Sequence, residues 1–391
     1  MHDSRRLQAV QTPIIPVIAD LIRAHPGTIS LGQGVVNYGP PPAAAEEIAR
    51  FLAEPDNNKY QATSGVPSLL EALSRKLAAE NGVAVGPGHG NRLMVTAGGN
   101  QAFLNVVLAI LDPGDEVILP VPYYFNHEMA IVMANTRPVL VETDANHQLD
   151  LDAIRAAITP RTRAIVTISP NNPSGAVYPK EALSAVNALC AERGLFHVSD
   201  EAYEYFTYDG AKPFSPASIQ GAAAHTISLY SMSKAYGFAS WRIGWMVFPE
   251  SLEPAMRKVQ DTVIICPPVI AQYAAVGALG AGRAFVQKQV DRLGQTRAMV
   301  KSQLSALEEA GLAELPHAAG ALYFLLRLKS KMGPLDYASK LIREHGVAVI
   351  PGDAFGLTRG CHLRVAYGAL RPETAVEGVG RLVAGVRALA D

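Results

Sequence analysis

The run Ala164-Ile165-Val166-Thr167-Ile168, closed by Ser169-Pro170-Asn171-Asn172-Pro173-Ser174-Gly175, decides the fold. Its five apolar or β-branched residues show no polar alternation, which marks a strand covered on both faces. The Pro, Asn, Ser and Gly that follow read as a turn. A strand covered on both faces needs helices above and below its sheet, and helical patterns flank this one. Upstream, residues 68–81 predict an amphipathic helix, with Leu69, Leu73 and Leu77 recurring every four residues and Gly82 at the stop. Residues 93–95 predict a strand and 100–111 a helix closed by Asp112-Pro113-Gly114, with further strands at 117–119 and 138–141. Downstream, Pro179 opens a helix that Leu183, Val186 and Cys190 carry to Gly194, and strands follow at 195–198, 226–229 and 245–248. Such alternation predicts an α/β protein: a mostly parallel central sheet in a three-layer αβα sandwich. Ligands of such sheets bind at the carboxyl ends of the strands. A helical pattern over 284–310, with Val286, Val290, Leu293, Val300, Leu304 and Leu307, predicts the passage into a smaller second domain.

With 49% hydrophobic and 18% charged residues among 391, the chain can bury a large core and is not of the disordered class. A net charge of −1 argues against nucleic acid or an anionic membrane as partner. Arg5 and Arg6 precede no apolar core, so the N-terminal stretch does not read as a signal peptide. Apolar runs such as 106–111 are too short to span a bilayer. Cys190, Cys266 and Cys361 lie far apart and odd in number, as expected of buried reduced thiols in a cytoplasmic protein. No HExxH, Walker loop or full GxGxxG occurs, which leaves metal hydrolysis, phosphoryl transfer and nicotinamide chemistry without a motif.

The chemistry gathers just past the predicted strand ends. Ser231-Met232-Ser233-Lys234 and Trp241-Arg242-Ile243-Gly244 place two hydroxyls, an amine and a guanidinium within twelve residues. Hydroxyls and a forked arginine suit a phosphate, and a lysine amine condenses with an aldehyde. Alone, this segment would read as a solvated loop. Asp200, however, ends the strand before Ala202-Tyr203, and a carboxylate there is costly to bury without a positive partner. A protonated pyridine nitrogen is such a partner. Asn172 and Tyr203 are then candidates to hydrogen-bond a phenolic oxygen on the same ring.

Taken in order, Asn-Pro-Ser-Gly, Asp-x-x-Tyr, Ser-x-Ser-Lys, Trp-Arg-Ile-Gly and a late arginine resemble the class I/II aminotransferases of the fold type I pyridoxal-phosphate family, the aspartate aminotransferase superfamily. The likeness runs from about Leu31 to the C-terminus. It implies pyridoxal 5'-phosphate as cofactor, Lys234 as the catalytic Schiff-base lysine, Asp200 as partner of the pyridine nitrogen, and Asn172 and Tyr203 as ligands of the phenolic oxygen. Ser231, Ser233 and Arg242 resemble the phosphate ligands, together with the turn Gly98-Gly99-Asn100 at a helix start. Tyr124 resembles the aromatic that stacks on the ring, against the alternative of a core tyrosine at a helix start. His127 has two readings, a structural histidine or a partner of Asp200. Arg364, in the strand pattern 362–367, resembles the residue that forks onto the substrate α-carboxylate; the plain alternative is a surface arginine on an edge strand. Gly34 and Asn172 are expected beside the substrate. Tyr60 resembles a tyrosine that reaches the neighbouring subunit's phosphate, which implies a homodimer with shared sites. The expected division is 1–45 as an N-terminal arm and part of the small domain, 46–285 as the large cofactor-binding domain, and 286–391 as a small α+β domain.

The expected function is therefore ping-pong transfer of an amino group between an L-amino acid and a 2-oxo acid. The resemblance implies a lysine at position 100 in relatives that take acidic side chains; Asn100 tilts the expectation towards a neutral or aromatic donor. An aspartate/2-oxoglutarate-type transaminase or a β-lyase on the same residues remains the alternative. Ser231-x-x-Lys234 also matches the serine acyl-enzyme motif of penicillin-binding proteins, but the Lys-Thr-Gly and Ser-Asp-Asn expected downstream are missing. A non-catalytic sensor fused to a DNA-binding module finds no room for that module before Leu31.

Overall fold

The computed structural model describes residues 4–390, so the first three residues of the expected arm lie outside them. A seven-stranded sheet forms the centre. Its strands are β2 (Asn91–Thr96), β3 (Glu116–Val121), β4 (Arg137–Glu142), β5 (Thr162–Ile168), β6 (Phe196–Asp200), β7 (Thr226–Ser231) and β8 (Gly244–Pro249), in the order β2-β8-β7-β6-β5-β3-β4. Only β8 runs against its neighbours. Every strand expected here is present, each longer by one to three residues, because pairing extends past the apolar stretch that reveals it.

Side chains alternate across the sheet with period two. Val95, Tyr230 and Trp245 enter one apolar cluster, while Met94, Leu229 and Met246 enter another on the opposite face. Helices cover both faces: Gly99–Ile110 packs in the second cluster, whereas Pro67–Lys76 and Val269–Gly280 pack in the first. The helix expected over 68–81 is α-helical only over Pro67–Lys76. Leu77–Asn81 widens into a π-helical turn before Gly82, whose φ of 67° ends it.

The 28-residue helix Gly282–Glu309 joins two cores. Val286, Val290 and Leu293 belong to the first, and Val300, Leu304 and Leu307 to a further cluster built on the C-terminal elements. There β9 (Ala313–Glu314), β10 (Tyr323–Leu328), β12 (Ile350–Pro351) and β13 (Cys361–Ala366) form an antiparallel sheet in the order β12-β13-β10-β9. The pair β1 (Ile29–Ser30) and β11 (Val347–Ala348) ties the N-terminal segment to these elements. Among the described residues, no single helix is long and apolar enough to cross a membrane. All three cysteines are buried and unpaired.

One ion cluster anchors the start of β3. Glu116 is fully buried and accepts from Arg137, Arg161 and Thr159. Chiefly the Arg137 hydrogen bond, then Thr159, holds its carboxyl down to about 2. A carboxyl lowered in the fold contributes stability above its ordinary value of 4.5 and loses it as pH falls towards 2. Wild-type melting temperature should therefore fall more steeply than that of Glu116→Gln across this window; equal slopes in thermal scans would refute the coupling.

Candidate active site

Because β8 alone is reversed, β2, β3, β5, β6 and β7 end at one edge of the sheet, where β8 begins. The residues past those ends converge. Gly99 and Asn100 follow β2, Tyr124 follows β3, and Asn172 follows β5. Asp200 closes β6 with Tyr203 beyond it, Ser231 closes β7 ahead of Ser233 and Lys234, and Arg242 precedes β8. All ten line one cavity, with Ile168 and Ala202 filling the wall.

Each is held by local structure. Gly98 sits at φ 82° and starts the helix Gly99–Ile110, leaving the first turn's N–H groups facing the cavity edge. A Cβ there would overlap the Arg242 guanidinium. Arg242 itself adopts a left-handed φ of 59° and donates to the carbonyls of Ala97 and Ala239. Ser231 caps the short helix Met232–Ala235, its Oγ accepting the Ser233 N–H at 3.1 Å. The Asn172 turn is wholly buried, and Asn171 organises it by accepting from the Ser174 N–H and hydroxyl.

Asp200 has two neighbours that fix its carboxylate. The Ala202 N–H donates to Oδ1 at 3.0 Å, and His127 Nε2 lies 3.1 Å from Oδ2. His127 thus takes the second of its two expected readings. Its ring stacks on Phe103 at 3.9 Å, which sets its orientation.

Lys234 is half-buried in the cavity wall, with no carboxylate in salt-bridge range among the described residues. Burial foremost, then the positive Arg242, lowers its amine from 10.5 to about 8; Asp200 opposes this and Arg364 adds to it. Its Nζ lies 5.9 Å from the centre of the Tyr203 ring. Tyr124 starts the helix Phe125–Met133 and accepts from Asn126 at 2.8 Å, and burial pushes its phenol up to about 12.

Arg364 is only 2% exposed and lies on β13, between β12 and β10, so it is not on an edge. Nη1 donates to Asn172 Oδ1 at 2.9 Å and Nη2 to the Gly32 carbonyl at 2.6 Å, while Nε has no partner. No acidic side chain among the described residues pairs with it. A buried guanidinium without an anion is incomplete. Gly34 lies two residues beyond Gly32, and a Cβ on it would overlap the hydroxyl of Tyr323. Tyr60 stands apart from the cavity and is 81% exposed.

Two residues of the site escaped the sequence reading. Tyr323 bonds the Tyr203 hydroxyl at 2.5 Å and lies 4.5 Å beneath the Arg364 guanidinium. Tyr38 donates to the backbone carbonyl of Lys234 at 3.0 Å. Tyr323 is hidden in an apolar strand, Tyr323–Leu328, where an aromatic carries no polar signal.

Known proteins share this fold and much of this sequence. The family model Aminotransferase class I and II matches residues 26–382. An aromatic aminotransferase of Arabidopsis thaliana is 33% identical over 395 residues, covering 99% of this chain and 96% of that one. An aspartate/prephenate aminotransferase of Thermus thermophilus is 37% identical over 374 residues, covering 93% and 94%. The structure of Thermus thermophilus aspartate aminotransferase with maleate matches at a TM-score of 0.90 and 34% identity, covering 98% of this chain and all of that one. With the family match and the fold in agreement over nearly its whole length, the chain belongs to the class I and II aminotransferases, in the fold type I family.

Proposed function

We propose that the cavity holds pyridoxal 5'-phosphate and that the enzyme uses it to pass an amino group between an L-amino acid, aromatic or otherwise neutral by preference, and a 2-oxo acid. One observation carries this reading: a desolvated amine whose pKa is lowered to about 8, an oriented carboxylate and a set of anion donors line the same cavity. The fit is specific. Lys234 offers an amine for the aldehyde, and Asp200 offers its charge to the pyridine nitrogen. Asn172 and Tyr203 present donors for the phenolic oxygen, and Tyr124 presents a ring face. Ser231, Ser233, Arg242 and the N–H groups opening at Gly98-Gly99-Asn100 supply donors for the phosphate. When bound, the cofactor supplies a carbonyl for the amino group and an electron-poor ring that accepts charge from the substrate α-carbon.

The protein's part follows from its own groups. Arg364 holds the substrate carboxylate in its fork, which orients every amino acid alike. Gly34 and Asn172 flank that carboxylate. Lys234 Nζ takes the α-proton and returns it, a task suited to an amine that exchanges protons near neutral pH. His127 holds the Asp200 carboxylate in place.

The neutral or aromatic preference is supported by Asn100, which brings no charge to the cavity, and by the aromatic aminotransferase relative. The relative named for aspartate and prephenate supports the competing acidic-donor reading. A donor screen with a fixed 2-oxo acid decides: phenylalanine or tyrosine should exceed aspartate in kcat/KM, and the reverse order would overturn the preference.

We further infer a cytoplasmic homodimer in which Tyr60 of one protomer reaches the phosphate of the other; its exposure supports such a reach. We likewise infer an N-terminal arm over 1–45, a large domain over 46–285 and a small domain over 286–391; the long helix Gly282–Glu309, which packs in two cores, supports a boundary near 285. Gly98→Ala should weaken cofactor binding about tenfold, since φ 82° with ψ 173° is a conformation essentially confined to glycine, costing another residue about 1–3 kcal/mol, and the added Cβ would also displace Arg242. Equilibrium dialysis measures this, and unchanged affinity would remove Gly98 from the phosphate site.

A further inference from the structure

We propose that Tyr323 is a positioning residue that donates its hydroxyl proton to Tyr203 and thereby aims the Tyr203 proton into the cavity. The inference rests on the placement of Tyr203 at the cofactor's phenolic oxygen.

The two phenols face each other in a buried, T-shaped pair, with ring centres 5.6 Å apart and oxygens at 2.5 Å. Two hydroxyls own two protons, yet share one hydrogen bond. The second proton has no acceptor among the described residues, because neither oxygen bonds any other group there. Tyr203 lines the cavity and Tyr323 does not. An acceptor arriving in the cavity can therefore take only the Tyr203 proton, and Tyr323 must then supply the shared bond. A phenol that accepts one bond while donating another is polarised into a stronger donor.

Tyr323 is held for this task from several sides. Its backbone pairs with Ala366 of β13, and a Cβ on Gly175, in the Asn172 turn, would sit 2.9 Å from its carbonyl. The Arg364 guanidinium lies 4.5 Å over its ring. That cation draws on the ring and favours its hydroxyl as the donor. Gly34 leaves the space that the hydroxyl fills, so the segment reaching Arg364 also sets the position of the phenol pair.

The test is a pH titration of the cofactor's visible absorbance in the holoenzyme. A donor on the phenolic oxygen stabilises the form that has lost its proton, so weakening that donor raises the midpoint. Tyr203→Phe should raise it most, and Tyr323→Phe by about half a pH unit to one unit. The double variant should match Tyr203→Phe alone, since Tyr323 acts only through Tyr203. Gly34→Ala, which pushes on the Tyr323 hydroxyl from outside the pair, should move the midpoint the same way and covers the case of a Tyr323→Phe protein that fails to fold. A midpoint unmoved by both Tyr323→Phe and Gly34→Ala, or additive shifts in the double variant, would overturn the inference while leaving Tyr203 in place. A midpoint unmoved by Tyr203→Phe would overturn the placement of Tyr203 as well.

Discussion

Lys234→Ala is expected to lower kcat by about 10⁴-fold or more, with the protein still folded. General acid–base catalysis alone accounts for roughly 10²–10⁴ of such a loss, and the amine is also the anchor of the cofactor. Folding survives because this amine is a burden to the unliganded fold. Between about 8 and 10.5 the unfolded chain keeps a proton that the folded chain has released, so stability rises with pH across that window. Below about 8 the whole penalty applies, on the order of 3 kcal/mol for the gap between the two values. Unliganded Lys234→Met should therefore melt above the unliganded wild type at pH 7, with the advantage vanishing near 10.5. Thermal scans at both pH values check this. A variant that melts lower at pH 7 would show that the amine is stabilised by its surroundings.

Arg364→Leu has the second largest expected effect. Each hydrogen bond to a charged group contributes about 1.5–3 kcal/mol, and a forked contact makes two. A loss of about 10³-fold in kcat/KM follows for every amino donor, whatever its side chain. Arg364→Lys should recover only part of it, because an ammonium cannot match a carboxylate with two parallel donors. The loss must be common to phenylalanine and aspartate. If the variant discriminated between them, Arg364 would be reading side chains, and the α-carboxylate would be held elsewhere. Cofactor binding, followed by absorbance, should stay close to that of the wild type, which separates this defect from the Gly98→Ala effect.

The sheet was legible because buried parallel strands are uninterrupted apolar runs, and 164–168 is such a run within β5. The cavity residues were legible for a related reason: a charge or amide at the end of such a run breaks its composition, as Asp200, Asn172 and Lys234 do. Arg364 stood out likewise in an apolar strand, and its central place on β13 rules out the edge-strand alternative. Tyr323 breaks no pattern and stayed hidden. His127 could not be resolved from the sequence, since its approach to Asp200 joins elements far apart in the chain and needs Phe103 to orient it. Helix ends were legible to within a residue or two where glycine or proline marks them, as for Lys180–Arg193 before Gly194. The widening at Leu77–Asn81 has no such marker, because the leucine spacing of an α-helix continues into it.

The chemistry turns on which amine meets the cofactor. Treating the holoenzyme with borohydride, digesting it and weighing the peptides measures this directly. A cofactor-sized mass increment on the peptide that carries Lys234, and on no other, is the predicted result. An increment on a different lysine, or none in a protein saturated with the cofactor, would contradict it.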